Sequence, residues 1–144
     1  MLVLVDTSVW SLALRRHAGD LSPAEKRIVA ELGHLIEEGR AQLIGPVRQE
    51  LLSGIRESAQ YERLREHLRG FPDQPLEGAD FEYAAQLSNQ CRRTGVTGSV
   101  VDLLICAIAV KRNWPVFTTD QDFRNYAEVL PFKLHRPREI IKGK

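Results

Sequence analysis

The sequence predicts an α/β domain in which a central parallel sheet is flanked by helices. Short apolar runs at residues 2–5, 42–44 and 116–117 alternate with longer segments in which apolar residues recur at helical spacing. This alternation is typical of parallel sheets whose strands are joined by right-handed helical crossovers. The chain has 144 residues and shows no internal repeat, linker or low-complexity segment, which predicts a single domain over residues 1–144.

The overall composition is that of an ordinary water-soluble domain. Hydrophobic residues make up 43% and charged residues 27% of the chain, and the net charge is +1. Bulk charge therefore does not indicate a nucleic-acid-binding protein. The C-terminal stretch is more basic and can approach phosphates, although a solvated terminus is the commoner explanation. Its basic residues are Lys133, Arg136, Arg138, Lys142 and Lys144, with Glu139 as the one acid.

Sequence features that are absent indicate where the protein is located and argue against a zinc site. The longest apolar run, at residues 103–110, is too short to span a bilayer, so we expect no membrane association. The N-terminal apolar run lacks the basic region of a signal peptide, and we expect a cytoplasmic protein. Cys91 and Cys106 match neither a disulfide framework nor a zinc site, and the four histidines lack ligand spacing.

The first strand leads directly to a candidate acid. Residues 2–5 are apolar without alternation, as in a strand that is covered on both faces. Asp6, Thr7 and Ser8 follow at once and are good N-caps for a helix over residues 9–14. Capping alone is therefore one explanation of Asp6.

A second acid lies after the second strand. A helix over residues 22–38 begins with a capping box and a proline at its first position. Residues 42–44 then predict a strand, and a further helix opens at Gly45. Glu50 lies on the rim of that helix between core and solvent, where a plain surface role is the simpler explanation.

The remaining elements follow from periodicity and from breaks in it. Helices are predicted over residues 61–68, 81–91 and 99–110, a very short strand within 71–75, a strand at 116–117 and an edge strand at 132–134.

The helix over residues 99–110 is apolar all round except for Asp102, which predicts a buried central helix. On the helical wheel, Asp102 shares a face with the small residues Ser99, Cys106 and Ala109. A buried carboxylate is costly unless a cation or a hydrogen bond meets it. The simple interpretation is a carboxylate that caps a backbone amide or pairs with an arginine, and the sharper one is a metal ligand or catalytic acid.

The predicted topology brings several acids to one edge of the sheet. Asp6 follows the first strand and Asp120 follows the strand at 116–117, so both lie at the carboxyl ends of parallel strands, where ligands bind in such sheets. Asp102 lies near the start of a helix that runs antiparallel to the latter strand, and therefore near the same edge. Glu50 and Asp122 are a plausible fourth and fifth acid.

Carboxylates gathered in this way favour a hard divalent cation. Mg²⁺ prefers oxygen ligands and keeps waters or phosphate oxygens in its shell, and Mn²⁺ is also compatible. The absence of histidine and cysteine among the candidates argues against Zn²⁺. Ser8, Thr118 and Thr119 are candidates to position waters or carboxylates. The chemistry best served is phosphodiester hydrolysis by a metal-activated water.

Four motifs, in order along the chain, resemble those of the PIN-domain ribonucleases. They are VDTSVW at residues 5–10, VRQELLSG at 47–54, DLLICAIA at 102–109 and TTDQDF at 118–123. Within that family the chain looks most like the VapC toxins of toxin–antitoxin pairs, and the resemblance covers nearly the whole chain. It implies a PIN fold with a parallel sheet of about five strands. It also implies Mg²⁺- or Mn²⁺-dependent endoribonuclease activity.

The resemblance also implies roles for individual residues. The family's metal-binding acids match Asp6, Glu50, Asp102 and Asp120, and an additional acid of many members matches Asp122. We expect catalytic roles for Asp6, Glu50, Asp102 and Asp120, and metal ligation by Asp6, Asp102, Asp120 and Asp122. Thr7 or Thr118 matches the polar residues that hold water or a carboxylate. The family further implies a homodimer and a neutralising antitoxin. An antitoxin groove can be formed by Trp10, Leu12, Leu14 and the apolar face of helix 22–38, although amphipathic helices normally bury that face in the core of their own domain.

An acidic centre that cleaves RNA needs basic residues around it to hold the backbone. Candidates near the acids in sequence are Arg15, Arg16, Arg48, Lys111 and Arg112, although most such residues are simply solvated surface charges. A second hypothesis is a catalytically silent PIN-like scaffold that binds RNA or a protein. A third, a phosphoacceptor receiver domain, is disfavoured because Gly45 and Pro46 follow the second strand where the acceptor aspartate would be needed.

Overall fold

The computed structural model describes residues 1–139 and contains four strands and seven α-helices within that range. The strands are β1 (Val3–Val5), β2 (Ala41–Ile44), β3 (Asp73–Gln74) and β4 (Val116–Phe117). The helices are α1 (Thr7–Leu14), α2 (Pro23–Glu37), α3 (Gly45–Leu52), α4 (Ser58–Leu68), α5 (Gly78–Arg93), α6 (Val100–Arg112) and α7 (Asp122–Val129). A short 3-10 helix, Ala18–Asp20, precedes α2.

The sheet is parallel throughout and has the order β3-β2-β1-β4. In the central strand β1, Leu4 is in register with Gln42 of β2 on one side and with Val116 of β4 on the other. All three residues of β1 are fully buried, which confirms a strand covered on both faces. The carboxyl ends of β1 and β4 therefore lie side by side.

The expected edge strand at residues 132–134 is reduced to one bridged residue. Leu134 pairs in parallel with Val116, whose amide donates to the Lys133 carbonyl at 2.9 Å. Pro131 and Pro137 flank this bridge, and a proline has no amide to donate to a ladder. The expected sheet of about five strands is thus four strands and a bridge.

The predicted capping box of α2 is confirmed atom by atom. Ser22 Oγ accepts from the Glu25 amide at 3.1 Å, and the Glu25 carboxylate accepts from the Ser22 amide at 3.0 Å. Beyond the end of α2, Gly39 has a φ of +68°. Glycine adopts this left-handed conformation without the steric cost that a Cβ would bring.

The predicted central helix is confirmed in α6, where every residue from Leu103 to Ala109 is buried. Its first residue, Val100, is 79% exposed, so the helix emerges from the core at its amino end. Cys91 and Cys106 are buried free thiols, in agreement with the expected lack of a disulfide. Within residues 1–139, the structure contains no helix long and apolar enough to cross a bilayer.

Two residues proposed for an antitoxin groove belong to the core instead. Trp10 is fully buried, donates from its indole nitrogen to the Val5 carbonyl at 3.2 Å and packs edge-on against Phe71. Leu12 is only 6% exposed. The alternative interpretation is therefore correct for both, because α1 packs between α2 and α3. Leu14, at the end of α1, is half-buried and keeps some accessible surface.

The C-terminal segment is held across α2 by a buried glutamate. Glu31, which is 2% exposed, accepts a hydrogen bond from Arg138 Nε at 2.7 Å and lies 2.6 Å from His135 Nε2. Arg138 also pairs with Glu38 at 2.9 Å. This arginine of the basic stretch therefore has intramolecular partners, while Lys142 and Lys144 lie outside the described residues.

Glu31→Gln is expected to weaken the fold at neutral pH by about 1–3 kcal/mol, because a charge-assisted network is lost. Burial raises the pKa of Glu31, but the hydrogen bonds from Arg138 and His135 outweigh it and hold the pKa below its usual 4.5. A carboxyl with a lowered folded-state pKa stabilises the fold above its unfolded pKa and stops doing so as pH falls through the folded value. Urea unfolding from neutral pH to about pH 3 measures this.

The difference in unfolding free energy between wild type and Glu31→Gln should be largest at neutral pH and shrink below the ordinary glutamate pKa. Glu37→Gln is the matched control, since Glu37 is exposed on the same helix. A difference that grows as pH falls, or an equal loss in the control, would contradict the role of Glu31.

Candidate functional site

Acids from three distant segments meet at the carboxyl edge of the sheet. Asp102, in the first turn of α6, Asp120, which follows β4, and Asp122, at the start of α7, each offer a carboxylate oxygen within 4.8 Å of the others. Asp6 directly follows β1 and is 5% exposed. The charges of Asp6 and Asp120 both raise the pKa of Asp102, so these three carboxyl groups interact electrostatically.

The buried carboxylate of Asp6 is held by hydroxyl groups. Its Oδ2 accepts hydrogen bonds from Ser8 Oγ and Thr118 Oγ1, each at 2.8 Å. Although Asp6 occupies the N-cap position of α1, its side chain makes no capping hydrogen bond. Capping alone therefore does not explain Asp6. Burial raises its pKa, and the two hydroxyl donors act in the opposite direction.

The same hydroxyls connect Asp6 to the segment that carries Asp120. Thr118 Oγ1 accepts from the Asp120 amide at 3.0 Å, and Ser8 Oγ accepts from the Thr119 amide at 2.9 Å. The Asp120 carboxylate accepts from the Asp122 amide at 2.9 Å, at the N-terminal end of α7. The loop between β4 and α7 is thereby fixed against the start of α1. Thr119 takes part through its backbone amide.

Glu50 lies beside this cluster and outside the group of three close carboxylates. It is exposed on α3, and its Oε1 accepts from Thr7 Oγ1 at 2.7 Å. Since Thr7 follows Asp6 directly, this bond fixes the Glu50 side chain relative to the buried acid.

Asp102 is held by a residue that sequence reasoning missed. Tyr126 is 1% exposed on α7, and its hydroxyl donates to Asp102 Oδ2 at 2.7 Å. The simple interpretations of Asp102 are both wrong for the described residues: its carboxylate neither caps an amide nor pairs with an arginine. Ser99 is the N-cap of α6, since Ser99 Oγ accepts from the Asp102 amide at 3.1 Å.

Gly98 makes room for the Tyr126 hydroxyl. A Cβ on Gly98 would lie 2.5 Å from Leu103 Cδ2 and 2.6 Å from Tyr126 Oη, closer than real Cβ atoms approach. The side chain at position 98 must therefore be absent for Tyr126 to reach Asp102. The only sequence signal for Tyr126 is its position one helical turn after Phe123 on the buried face of α7, and nothing local indicates its partner.

The electrostatics of the cluster favour a cation. Burial raises the pKa of Asp102, the Tyr126 hydrogen bond opposes this, and the nearby charges of Asp6 and Asp120 raise it again. Close carboxylates repel unless a positive charge compensates them. The side chains around the cluster offer oxygen donors from carboxylates and hydroxyls, which fits Mg²⁺ or Mn²⁺ better than softer metals.

Four of the five basic residues proposed to contact RNA have intramolecular partners. Arg48 donates to Asp73 and to the Leu68 carbonyl, each at 2.9 Å, and it also bonds the Phe71 carbonyl. Lys111 pairs with the buried Asp80 at 2.7 Å. The structure thus shows Arg48 and Lys111 fastening neighbouring segments together.

The other three candidates are at the surface. Arg16 pairs with Glu25 at 3.2 Å, and Arg112 lies over the ring of Trp114 at 5.3 Å. Arg15 borders a surface cavity with His17 and Arg63, at the end of α1 opposite the acids.

Comparison with known proteins identifies the family. The PIN domain family model matches residues 3–129. The ribonuclease VapC11 of Mycobacterium tuberculosis and a VapC ribonuclease of Mycobacterium bovis are each 30% identical over 131 residues, covering 89% of this chain and 93% of theirs.

Solved structures share the fold. The crystal structure of FitAcB from Neisseria gonorrhoeae matches with a TM-score of 0.73 at 23% identity, and that of VapBC2 from Rickettsia felis, bound to a promoter DNA fragment, with 0.70 at 17%. Each match covers 94% of this chain and 98% of the other. The chain therefore belongs to the PIN-domain family and, within it, to the VapC ribonuclease toxins.

Proposed function

We propose that this protein is a Mg²⁺- or Mn²⁺-dependent endoribonuclease that hydrolyses RNA phosphodiesters as the toxin of a toxin–antitoxin pair. The observation that carries the proposal is the meeting of Asp102, Asp120 and Asp122 within 4.8 Å, beside the buried Asp6. The names of the VapC relatives support the reaction class. We further propose that residues 1–144 act as one domain.

Asp6, Asp102, Asp120 and Asp122 would hold the metal ion. When bound, such an ion lowers the pKa of a coordinated water and neutralises charge on the scissile phosphate. The chain's own contribution is to fix these ligands before substrate arrives. Ser8 and Thr118 hold Asp6, Tyr126 holds Asp102, and the amide of Asp122 holds Asp120. Preorganised ligands avoid a cost of ordering during the reaction.

Glu50 is proposed as the general base of the reaction. Its Oε1 is oriented by Thr7 at 2.7 Å, which leaves Oε2 to accept the proton that the attacking water loses as its oxygen bonds to phosphorus. The P–O bond to the leaving oxygen breaks in the same displacement, and that oxygen takes a proton from solvent.

The partners are proposed from the family. The solved complexes that share this fold include VapBC2 of Rickettsia felis and VapBC of Salmonella typhimurium, both bound to DNA. We propose that this chain likewise pairs with an antitoxin protein, forms a homodimer and acts in the cytoplasm.

The test is cleavage of a mixed pool of cellular RNA by the purified chain with Mg²⁺, with Mn²⁺ and with EDTA. We expect discrete cuts that require metal, stop in EDTA, return when metal is restored and disappear in Asp6→Asn. Asp20→Asn is the matched control, since Asp20 is exposed outside the cluster. Cleavage that persists in EDTA would contradict the metal-dependent mechanism. No cleavage together with no calorimetric metal binding would favour the silent scaffold.

A further inference from the structure

An open groove is lined by Asp120 of the acidic centre, by α7 and by the C-terminal segment. Asp120 and Thr118 line it together with Arg124, Lys133 and Arg136. Its volume is about 1220 Å³, above the roughly 300–1,000 Å³ that is typical of small-molecule sites. We call it the α7 groove. Its size fits a segment of an extended polymer better than a single small ligand.

The charged residues that line the α7 groove are mostly basic. Among the lining residues that the structure describes, Asp120 is the only acid, whereas Arg124, Lys133 and Arg136 are all exposed. Within residues 1–139, the ion pairs and side-chain hydrogen bonds include none of these three cations, in contrast to Arg48 and Lys111. Their charges therefore remain available to an external anion.

The backbone that carries two of these cations is fixed. The Lys133 carbonyl accepts from the Val116 amide at 2.9 Å, and the His135 amide donates to the Val116 carbonyl at 2.7 Å. Three residues after His135, the Arg138 side chain is bound to Glu31. Lys133 and Arg136 thus extend from a segment that is anchored on both sides, so a ligand does not have to order it.

We infer that the α7 groove holds the phosphodiester backbone of an RNA strand on one side of the scissile phosphate, with Arg124, Lys133 and Arg136 on neighbouring phosphates. The inference rests on the proposed nuclease function, because the scissile phosphate must lie at the acids. An acidic centre repels the negatively charged RNA backbone, and cations beside that centre compensate the repulsion. Partly exposed apolar side chains that line the same groove, such as Ile28 and Ala127, can contact sugars and bases.

The test is binding of a labelled single-stranded RNA of mixed sequence to the full chain in EDTA, followed by fluorescence anisotropy over a range of salt. The variant carries Arg124→Gln, Lys133→Gln and Arg136→Gln together. Affinity should fall about tenfold or more at low salt. The slope of log affinity against log salt should fall by about 2, since each phosphate contact on a single strand contributes about 0.7. Calorimetric Mg²⁺ binding should match wild type, because no acid is changed.

The matched control carries Arg56→Gln, Arg92→Gln and Arg93→Gln, which remove the same charge from exposed positions outside the groove. Its slope of log affinity against log salt should differ from that of the wild type by no more than about 0.7, the contribution of one phosphate contact. An equal loss in both variants, or an unchanged slope in the groove variant, would overturn the inference. Unchanged RNA binding together with lost binding of the co-expressed antitoxin would assign the groove to a protein and also overturn it.

Failure of this inference is distinguishable from failure of the proposed function. If wild type cleaves RNA with metal while the groove variant binds and cleaves equally well, only the groove assignment is wrong. If wild type shows no metal-dependent cleavage, the nuclease proposal is wrong, and this inference is withdrawn with it.

Discussion

Asp102→Asn is expected to lower kcat/KM for RNA cleavage by about a thousandfold or more while the fold is kept. In a metal-centred reaction, the metal ion and its charged ligands supply several kcal/mol of transition-state stabilisation. Each 1.36 kcal/mol changes the rate about tenfold. Asparagine is nearly the same size as aspartate and keeps one oxygen that can accept the Tyr126 hydrogen bond, which is 2.7 Å long in the wild type. The variant therefore removes charge with little change of shape.

Thermal unfolding with and without Mg²⁺ separates loss of the metal from loss of the fold. Burial and the charges of Asp6 and Asp120 raise the pKa of Asp102, so its ionised form opposes folding of the metal-free protein. The metal-free variant should therefore unfold at the wild-type temperature or slightly above it. The rise in Tm that Mg²⁺ produces in the wild type should be much smaller. Wild-type cleavage by a correctly folded Asp102→Asn protein would refute the assignment of this acid.

Gly98→Ala is expected to destabilise the protein by about 1–3 kcal/mol and to weaken Mg²⁺ binding, because overpacking at this position displaces a buried tyrosine. The new Cβ would lie 2.5 Å from Leu103 Cδ2 and 2.6 Å from Tyr126 Oη. Leu103 and Tyr126 are 2% and 1% exposed, so a shift of either side chain disturbs buried packing. Urea unfolding and calorimetric titration with Mg²⁺ measure the two effects.

Two further variants separate the effect of steric crowding at position 98 from the effect of losing the hydrogen bond between Tyr126 and Asp102. Tyr126→Phe removes only the hydroxyl and should weaken metal binding about tenfold, a typical effect of losing a group that orients a ligand. Gly33→Ala, in α2, is the control for glycine replacement, since its Cβ would meet nothing within 4 Å. It should leave metal binding unchanged and stabilise the helix slightly. Equal stability and metal affinity of Gly98→Ala and wild type would refute the role of Gly98.

The elements that carry the acids were predictable because each depends on local pattern. An unalternating apolar run predicted β1 and so placed Asp6 at a strand end. A local pattern also marked the start of α2, which carries none of these acids, through the capping box at Ser22. An apolar helix interrupted only by Asp102 predicted the buried α6. Since parallel strands end at one edge, this local information was enough to bring Asp6, Asp102 and Asp120 together.

What surrounds the acids was not predictable in this way. Two basic residues that the sequence placed near the acids, Arg48 and Lys111, join α3 to β3 and α6 to α5. Within residues 1–139, the cations that share a groove with Asp120 and have no ion pair or side-chain hydrogen bond lie instead on α7 and the C-terminal segment. Sequence proximity to an acid says little about which arginine has a partner, because the partner lies on a distant segment.

The sequence by itself determined the α/β class, the order of the elements and the edge at which the acids meet. Only the tertiary structure decided that Tyr126, 24 residues from Asp102, orients that carboxylate, that Gly98 makes room for the hydroxyl, and that Trp10 and Leu12 belong to the core. The physical reason is that periodicity and capping are short-range properties of the chain. Side-chain hydrogen bonds and packing depend on which elements become neighbours, and only the folded chain sets those distances.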